Sequence, residues 1–143
     1  MTTKEAGELA AISETLTNPY VEDWRRNGGK VVGYPCTYVP EEIISAAGIL
    51  PFRLRGTGCV GTAVADTWLT RIAHCSFARS VLELALTGEY EFLDGVVFTN
   101  SCDHIRRAYD NWKAQENTPS FMHMLAVPHV ITEDGLELSL IHI

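Results

Sequence analysis

Residues 92–107 read Phe92-Leu93-Asp94-Gly95-Val96-Val97-Phe98-Thr99-Asn100-Ser101-Cys102-Asp103-His104-Ile105-Arg106-Arg107. Asp94-Gly95 is a turn signal, and the apolar run Val96-Val97-Phe98 behind it reads as a short buried strand. From residue 103 to residue 114 the chain reads as a helix, with Asp103 placed as its cap. A buried strand that passes through a short polar loop into a helix is half of a parallel βαβ unit.

The same alternation recurs on both sides. Lys30 to Tyr34 is a β-branched run, hence a strand. Pro40-Glu41-Glu42 opens a helix through residue 47, because proline suits the first turn and glutamates suit the positive end of the dipole. Gly48 ends it. Residues 50–54 read as a second strand, followed by a glycine-rich loop and a helical stretch over 63–69. Residues 76–86 form an amphipathic helix, with Val81, Leu82, Ala85 and Leu86 on one side and Gly88 at its end. Residues 121–127 are the last strand, closed by Pro128. Upstream, Leu9, Ile12 and Leu16 share one face of a helix, and Asn18-Pro19 breaks it to start a short second helix through Trp24. The expected architecture is α/β: a short parallel sheet with flanking helices, Rossmann-like, over residues 29–137, preceded by a helical arm over residues 1–28.

The last six residues, Leu138-Ser139-Leu140-Ile141-His142-Ile143, can be encoded by CTG TCT CTT ATA CAC ATC. That string matches the mosaic end of transposon-based sequencing libraries. Residues 138–143 are therefore expected to be translated adapter, with the gene truncated at that point and no function for His142; a genuine apolar strand is the alternative reading. Such a tail is set aside from fold reasoning.

The 143 residues carry a formal net charge of -7, which disfavours a phosphate backbone as partner, so no nucleic acid is expected. No apolar run reaches the ~20 residues needed to span a bilayer. The N-terminus lacks a basic region followed by an apolar core, so no secretory signal is read and a cytoplasmic, non-membrane protein is expected.

Four cysteines stand at 36, 59, 75 and 102. In a reducing compartment disulfides are rare, which leaves buried apolar residues, nucleophiles or metal ligands. Cys36 follows the first strand, Cys102 follows the Val96–Phe98 strand, and Cys75 stands just before the 76–86 helix. All three lie at or near helix starts, where thiolate is favoured, and at the rim where open α/β sheets bind ligands. There is no C-x-x-C pair, so spacing signals neither a ferredoxin-type cluster nor a zinc ribbon. Cys59, in the glycine-rich loop, is read as incidental.

The words around those cysteines carry more. The chain reads Val32-Gly33-Tyr34-Pro35-Cys36-Thr37-Tyr38-Val39-Pro40-Glu41-Glu42-Ile43-Ile44, then Ala46-Ala47-Gly48-Ile49-Leu50-Pro51-Phe52-Arg53-Leu54, then His74-Cys75-Ser76-Phe77-Ala78-Arg79-Ser80, then the 92–107 block. In this order the sequence resembles subunits of the 2-hydroxyglutaryl-CoA dehydratase and benzoyl-CoA reductase family, from about residue 30 to about residue 129. The resemblance implies an iron–sulfur cluster, usually 4Fe-4S, ligated by Cys36, Cys75 and Cys102, with a non-cysteine ligand on the fourth iron. It also implies a related sister subunit in a heterodimer, an ATP-dependent iron–sulfur activator protein that supplies a low-potential electron, and an acyl-CoA substrate. In the dehydratases that electron makes a ketyl radical from the thioester carbonyl so that the hydroxyl can leave; in the reductases electrons enter an aromatic ring. Some relatives carry a double-cubane cluster and act as ATP-dependent reductases of other small molecules. Family members extend well past the length of this chain.

Other residues have plainer readings. Glu41 and Glu42 complement a helix dipole, with a role near the cluster or substrate as the minority view. Arg79 reads as a structural ion pair, and His74 as a surface or supporting neighbour of Cys75. His104, Arg106 and Arg107 read as surface or interface residues, with an arginine on a CoA phosphate as the sharper alternative. Trp24, Trp68 and Trp112 read as packing. Gly56-Thr57-Gly58-Cys59-Val60-Gly61 spells G-x-G-x-x-G, which on its own suggests a nicotinamide-dependent oxidoreductase, but the acidic residue expected ~20 positions on falls inside a helix. A third class is a zinc-binding module using His74, Cys75, Cys102 and His104.

Overall fold

The computed structural model describes residues 3–128, 130 and 132–142, the side chains of 3, 4 and 138–142 excepted. Four strands, β1 (Val31–Tyr34), β2 (Leu50–Arg53), β3 (Gly95–Thr99) and β4 (Phe121–Leu125), form one sheet in the order β2-β1-β3-β4. All three pairings are parallel, with Val31 opposite Leu50, Val32 opposite Gly95, and Gly95 opposite Phe121. The helices are α1 (Thr3–Glu14), α2 (Pro19–Arg26), α3 (Glu41–Ala46), α4 (Ser76–Leu86), α5 (Asp103–Lys113) and α6 (Glu133–His142). The expected α/β architecture with a short parallel sheet is what the chain adopts.

The strand order sets where the helices lie. The chain leaves β1 toward β2 on one side, then returns across β1 to β3 and β4 on the other. Right-handed crossovers place α3 on one face of the sheet and both α4 and α5 on the opposite face. Accordingly α4 packs along α5, and α3 packs on β2. The core lies on the α4–α5 side: Val31, Phe52, Leu54, Val96 and Phe98 meet Val81, Leu82 and Ala85 of α4 and Ile105, Tyr109 and Trp112 of α5. Gly33 belongs to that layer, because a Cβ there would stand 2.8 Å from Leu93 Cδ1 and 2.9 Å from Leu54 Cδ2. The other face is thinner. α3 buries none of its own residues, and on β4 Phe121 remains 52% exposed and stacks on His123.

Local chemistry explains most of the helix boundaries. Asn18 caps α2, its side chain accepting the N–H groups of Tyr20 and Val21. Arg55 donates to the carbonyls of Thr15 and Leu16, which ties the N-terminal arm to the end of β2. Gly48 and Gly88 follow α3 and α4 with φ of +72° and +85°, the left-handed conformation that stops a helix cheaply only at glycine.

Some expectations are corrected. The helical stretch expected over 63–69 is present only in shortened form, as a 3-10 turn over Ala65–Thr67. Trp112 is buried as expected, but Trp24 is 39% and Trp68 48% exposed. Trp24 instead donates from Nε1 to the Lys30 carbonyl. Leu9 does not share a buried face with Leu16: it is 57% exposed, whereas Leu16 packs on the core. The backbone of residues 138–142 continues α6, not a strand, while the His142 side chain and Ile143 lie outside the described residues. Among the described residues no helix is long and apolar enough to cross a membrane.

Asp94 fastens the start of the sheet. Its carboxylate accepts from Lys30 Nζ at 2.7 Å and from the Val31 N–H at 2.9 Å, and its carbonyl accepts from Ser120 Oγ at 2.9 Å. Burial pushes this carboxyl up, but the Lys30 ammonium and the Val31 N–H outweigh it and hold Asp94 below the usual carboxylate range. A depressed folded-state pKa contributes stability above the unfolded value of ~4, and that contribution is lost as pH falls through the folded value. Asp94→Asn is therefore expected to lower the urea midpoint at about pH 7 and to lower it less at about pH 3, below the unfolded value. Equal differences at both pH values would refute the assignment.

Candidate ligand rim at the sheet switch point

The connections from β1 and from β3 diverge to opposite sides of the sheet, which opens a crevice beyond their C-terminal ends. Two of the four cysteines enter it directly. Cys36 lies two residues past β1 and Cys102 three residues past β3. Cys36 is half-buried, beside the Ser101 and Thr99 hydroxyls and the Tyr38 backbone, and Thr99 Oγ1 donates to Ser101 Oγ at 3.1 Å. Burial pushes the Cys36 thiol up, but those donors and the charge of Arg53 outweigh it and pull the thiol below its ordinary range. The loop that carries Cys102 thus touches Cys36 through its neighbour Ser101.

Cys75 reaches the same rim from the start of α4. It is the N-cap, with extended backbone, and its Sγ accepts the Ala78 N–H at 3.4 Å. Its own N–H donates to His104 Nδ1 at 3.2 Å, on the first turn of α5. Cys102 is the N-cap of α5, but its side chain makes no capping bond. Asp103, expected as that cap, is instead the first helical residue and pairs with Arg106 at 3.3 Å. Cys75 and Cys102 are exposed. Asn100 secures the exit of β4, accepting the Val127 N–H at 2.7 Å.

Beside Cys36 a cleft of about 390 Å³ is lined by Tyr34, Thr37, Tyr38, Glu41, Glu42 and Arg53. Tyr34 donates its hydroxyl to Glu41, and Arg53 sits over the Tyr34 ring at 5.5 Å. Burial and then Glu41 push the Tyr34 hydroxyl up to about 12, so it stays protonated as a donor. Glu41 therefore does more than complement the α3 dipole, a role that helix-end composition alone does not reveal. Two other clefts, of about 420 and 480 Å³, lie between the C-terminal ends of α4 and α5 and hold no cysteine.

The remaining candidates separate cleanly. Arg79 is mostly buried and donates to Asp66 at 2.7 Å and to Thr62 at 2.9 Å, the structural ion pair expected of it. Arg106 and Arg107 are exposed and pair with Asp103 and Asp110 one turn away. His74 lies against His104, ring centroids 5.7 Å apart. Cys59 donates to the Gly61 carbonyl at 3.0 Å and packs on the core, away from the other three. The glycine loop of residues 56–61 leads into turns and the Ala65–Thr67 3-10 turn, and no helix N-terminus follows Gly61 to receive a pyrophosphate. Gly56 serves packing, since a Cβ there would stand 2.9 Å from Ser80 Cβ. Among the described residues no three His, Cys, Asp or Glu side chains converge on a position for a single metal ion, so the zinc set of His74, Cys75, Cys102 and His104 is not assembled.

Fold and rim together define an open, parallel α/β domain with cysteine-bearing loops from three separate segments at its C-terminal rim. The chain belongs to the family described as 2-hydroxyglutaryl-CoA dehydratase, D-component, whose family model matches residues 36–140. It is 34% identical over 105 residues to a benzoyl-CoA reductase subunit from Thauera aromatica, covering 72% of this chain and 27% of that protein. It is 32% identical over 118 residues to the lactoyl-CoA dehydratase beta subunit from Anaerotignum propionicum, covering 80% and 31%. With the (R)-phenyllactyl-CoA dehydratase beta subunit from Clostridium sporogenes it shares 31% over 129 residues, covering 88% and 34%. The chain thus spans about a third of the length of these relatives, which are subunits of acyl-CoA dehydratases and of a benzoyl-CoA reductase.

Proposed function

We propose that this chain is the cluster-bearing segment of a 2-hydroxyacyl-CoA dehydratase or benzoyl-CoA reductase subunit, with Cys36, Cys75 and Cys102 as ligands of a 4Fe-4S cluster. The observation that carries this reading is the shared rim: Cys36 touches Ser101 beside Cys102, and Cys75 is bonded to the first turn of α5. The donor set suits the group, because three soft thiols favour iron–sulfur ligation over a hard, oxygen-ligated cation. When bound, the cluster would supply low-potential electron transfer to an acyl-CoA thioester.

The chain's own residues have definable parts in this reading. Ser101 stabilises the Cys36 thiolate as a hydroxyl donor, and Thr99 orients Ser101 by donating to its oxygen. Tyr34, Glu41 and Arg53 shape a polar cleft beside it, suited to a small polar group such as a thioester end. The names of the relatives, subunits of larger enzymes, support a sister subunit as partner, and an ATP-dependent activator as electron source belongs to the same proposal. Expression and purification under anaerobic conditions test it. A brown protein with broad visible absorbance and about four irons per chain is the expected result. A colourless protein that carries zinc or binds a nicotinamide cofactor would overturn it.

A further inference from the structure

The geometry points to His104 as a positioning residue that holds the Cys75 loop against the start of α5 and so sets Cys75 beside Cys102 before any cluster is present. This rests on the reading of those thiols as a ligand set. The two cysteines lie on different helices, and the packing of α4 on α5 through Val81, Ala85, Ile105 and Trp112 fixes the helix bodies, not the loop ahead of α4. At that loop, the Cys75 N–H is an N-cap donor with no intrahelical partner of its own. It finds one 29 residues away in the chain, at His104 Nδ1, 3.2 Å off. That bond fixes the His104 tautomer, with the hydrogen on Nε2. His74, immediately before Cys75, lies edge-on to the His104 ring, so the imidazole touches two successive residues of the loop. His104 itself is two residues past Cys102, on the first turn of the helix that Cys102 begins.

Because the bond uses Nδ1, substitution separates positioning from any role of the outer nitrogen. Asparagine places its Oδ1 where Nδ1 stands and accepts from the Cys75 N–H. Glutamine reaches instead to the Nε2 position. His104→Asn is therefore expected to behave as the parent chain, and His104→Gln and His104→Ala as loss variants. In the apo chain carrying Cys36→Ala and Cys59→Ala, a bimane reagent that fluoresces only on joining two neighbouring thiols reads the Cys75–Cys102 approach. His104→Ala and His104→Gln are expected to slow that cross-linking about fivefold, the effect of one hydrogen bond. With all four cysteines present, the same two variants are expected to release iron to a chelator about fivefold faster than the parent. Far-UV circular dichroism and urea midpoints establish that each variant is folded, which the part-exposed position of His104 favours. Equal cross-linking in all four proteins would overturn the proposal, as would an Asn variant that behaves as Ala while Gln behaves as parent. If the cross-linking pattern holds but the parent chain takes up no iron, the positioning role stands and the cluster reading falls.

Discussion

Cys36→Ala, Cys75→Ala and Cys102→Ala are each expected to remove most of the cluster iron, whereas Cys59→Ala keeps it. The three proposed ligands differ in surroundings, so the variants test more than residue type. Cys36 is half-buried under hydroxyl donors that favour its thiolate, while Cys75 and Cys102 are exposed at two helix starts. On the proposed ligation, loss of any one would leave two thiolates, too few to hold a cubane whose fourth iron has no cysteine. Cys59 is the internal control, because its thiol is spent on the Gly61 carbonyl two residues along the loop. Iron per chain after anaerobic reconstitution is the measurement. Full iron in Cys75→Ala, or its loss in Cys59→Ala, would require a different ligand set.

Phe98→Ala is expected to lower stability by about 3–5 kcal/mol, a large share of the ~5–15 kcal/mol typical of a domain. Phe98 has no exposed surface and lies at the middle of the sheet on the α4–α5 side. Its ring meets Tyr109 at 5.4 Å and Trp112 at 6.2 Å, both from α5, so truncation opens a cavity that rigid aromatic walls cannot fill. Urea unfolding should show a midpoint lower by about 2 M. Val97, one residue away, points to the thinner face and is only partly buried, so Val97→Ala should cost far less. Similar losses at the two positions would show that the sheet does not divide into a packed and a thin face as described.

How much of the molecule is legible in the sequence depends on what each signal reports. The strands near 30, 50, 95 and 121 and the 76–86 and 103–113 helices are legible because each combines an apolar period with a glycine, proline or acidic boundary. The 56–74 segment is not. Its apolar residues Val60, Val64 and Ile72 are exposed, and Ala65 and Leu69 are buried one turn apart with only a 3-10 turn between them. The segment is held from outside, by Arg79 on Asp66 and by the Glu83 carboxylate accepting the Ala65 N–H, contacts to α4 that no local pattern encodes. At the rim, the placement of Cys75 and Cys102 at helix starts is readable, whereas Cys36 sits in a turn five residues ahead of α3. The bond from Cys75 to His104 is not readable, because it joins residues 29 apart through a single ring nitrogen. Asp103 misleads for a related reason: Cys102, a poor capping residue, occupies the cap position that composition would assign to the aspartate.

The outer side of β4 bears on how the chain behaves in solution. β4 ends the sheet, and among the described residues nothing pairs with its outer edge. Its five residues, Phe121 to Leu125, contain no lysine and no proline, the usual guards of an open edge. With Phe121 half-exposed beside it, that edge is a template for a strand from another molecule, and self-association should set in there first as concentration rises. The acidic surface opposes this by mutual repulsion, which salt screens. Ionic strength therefore governs how concentrated the chain can be kept without precipitating, and a charge introduced at Phe121 would extend that range without touching the thiol-bearing end of the sheet.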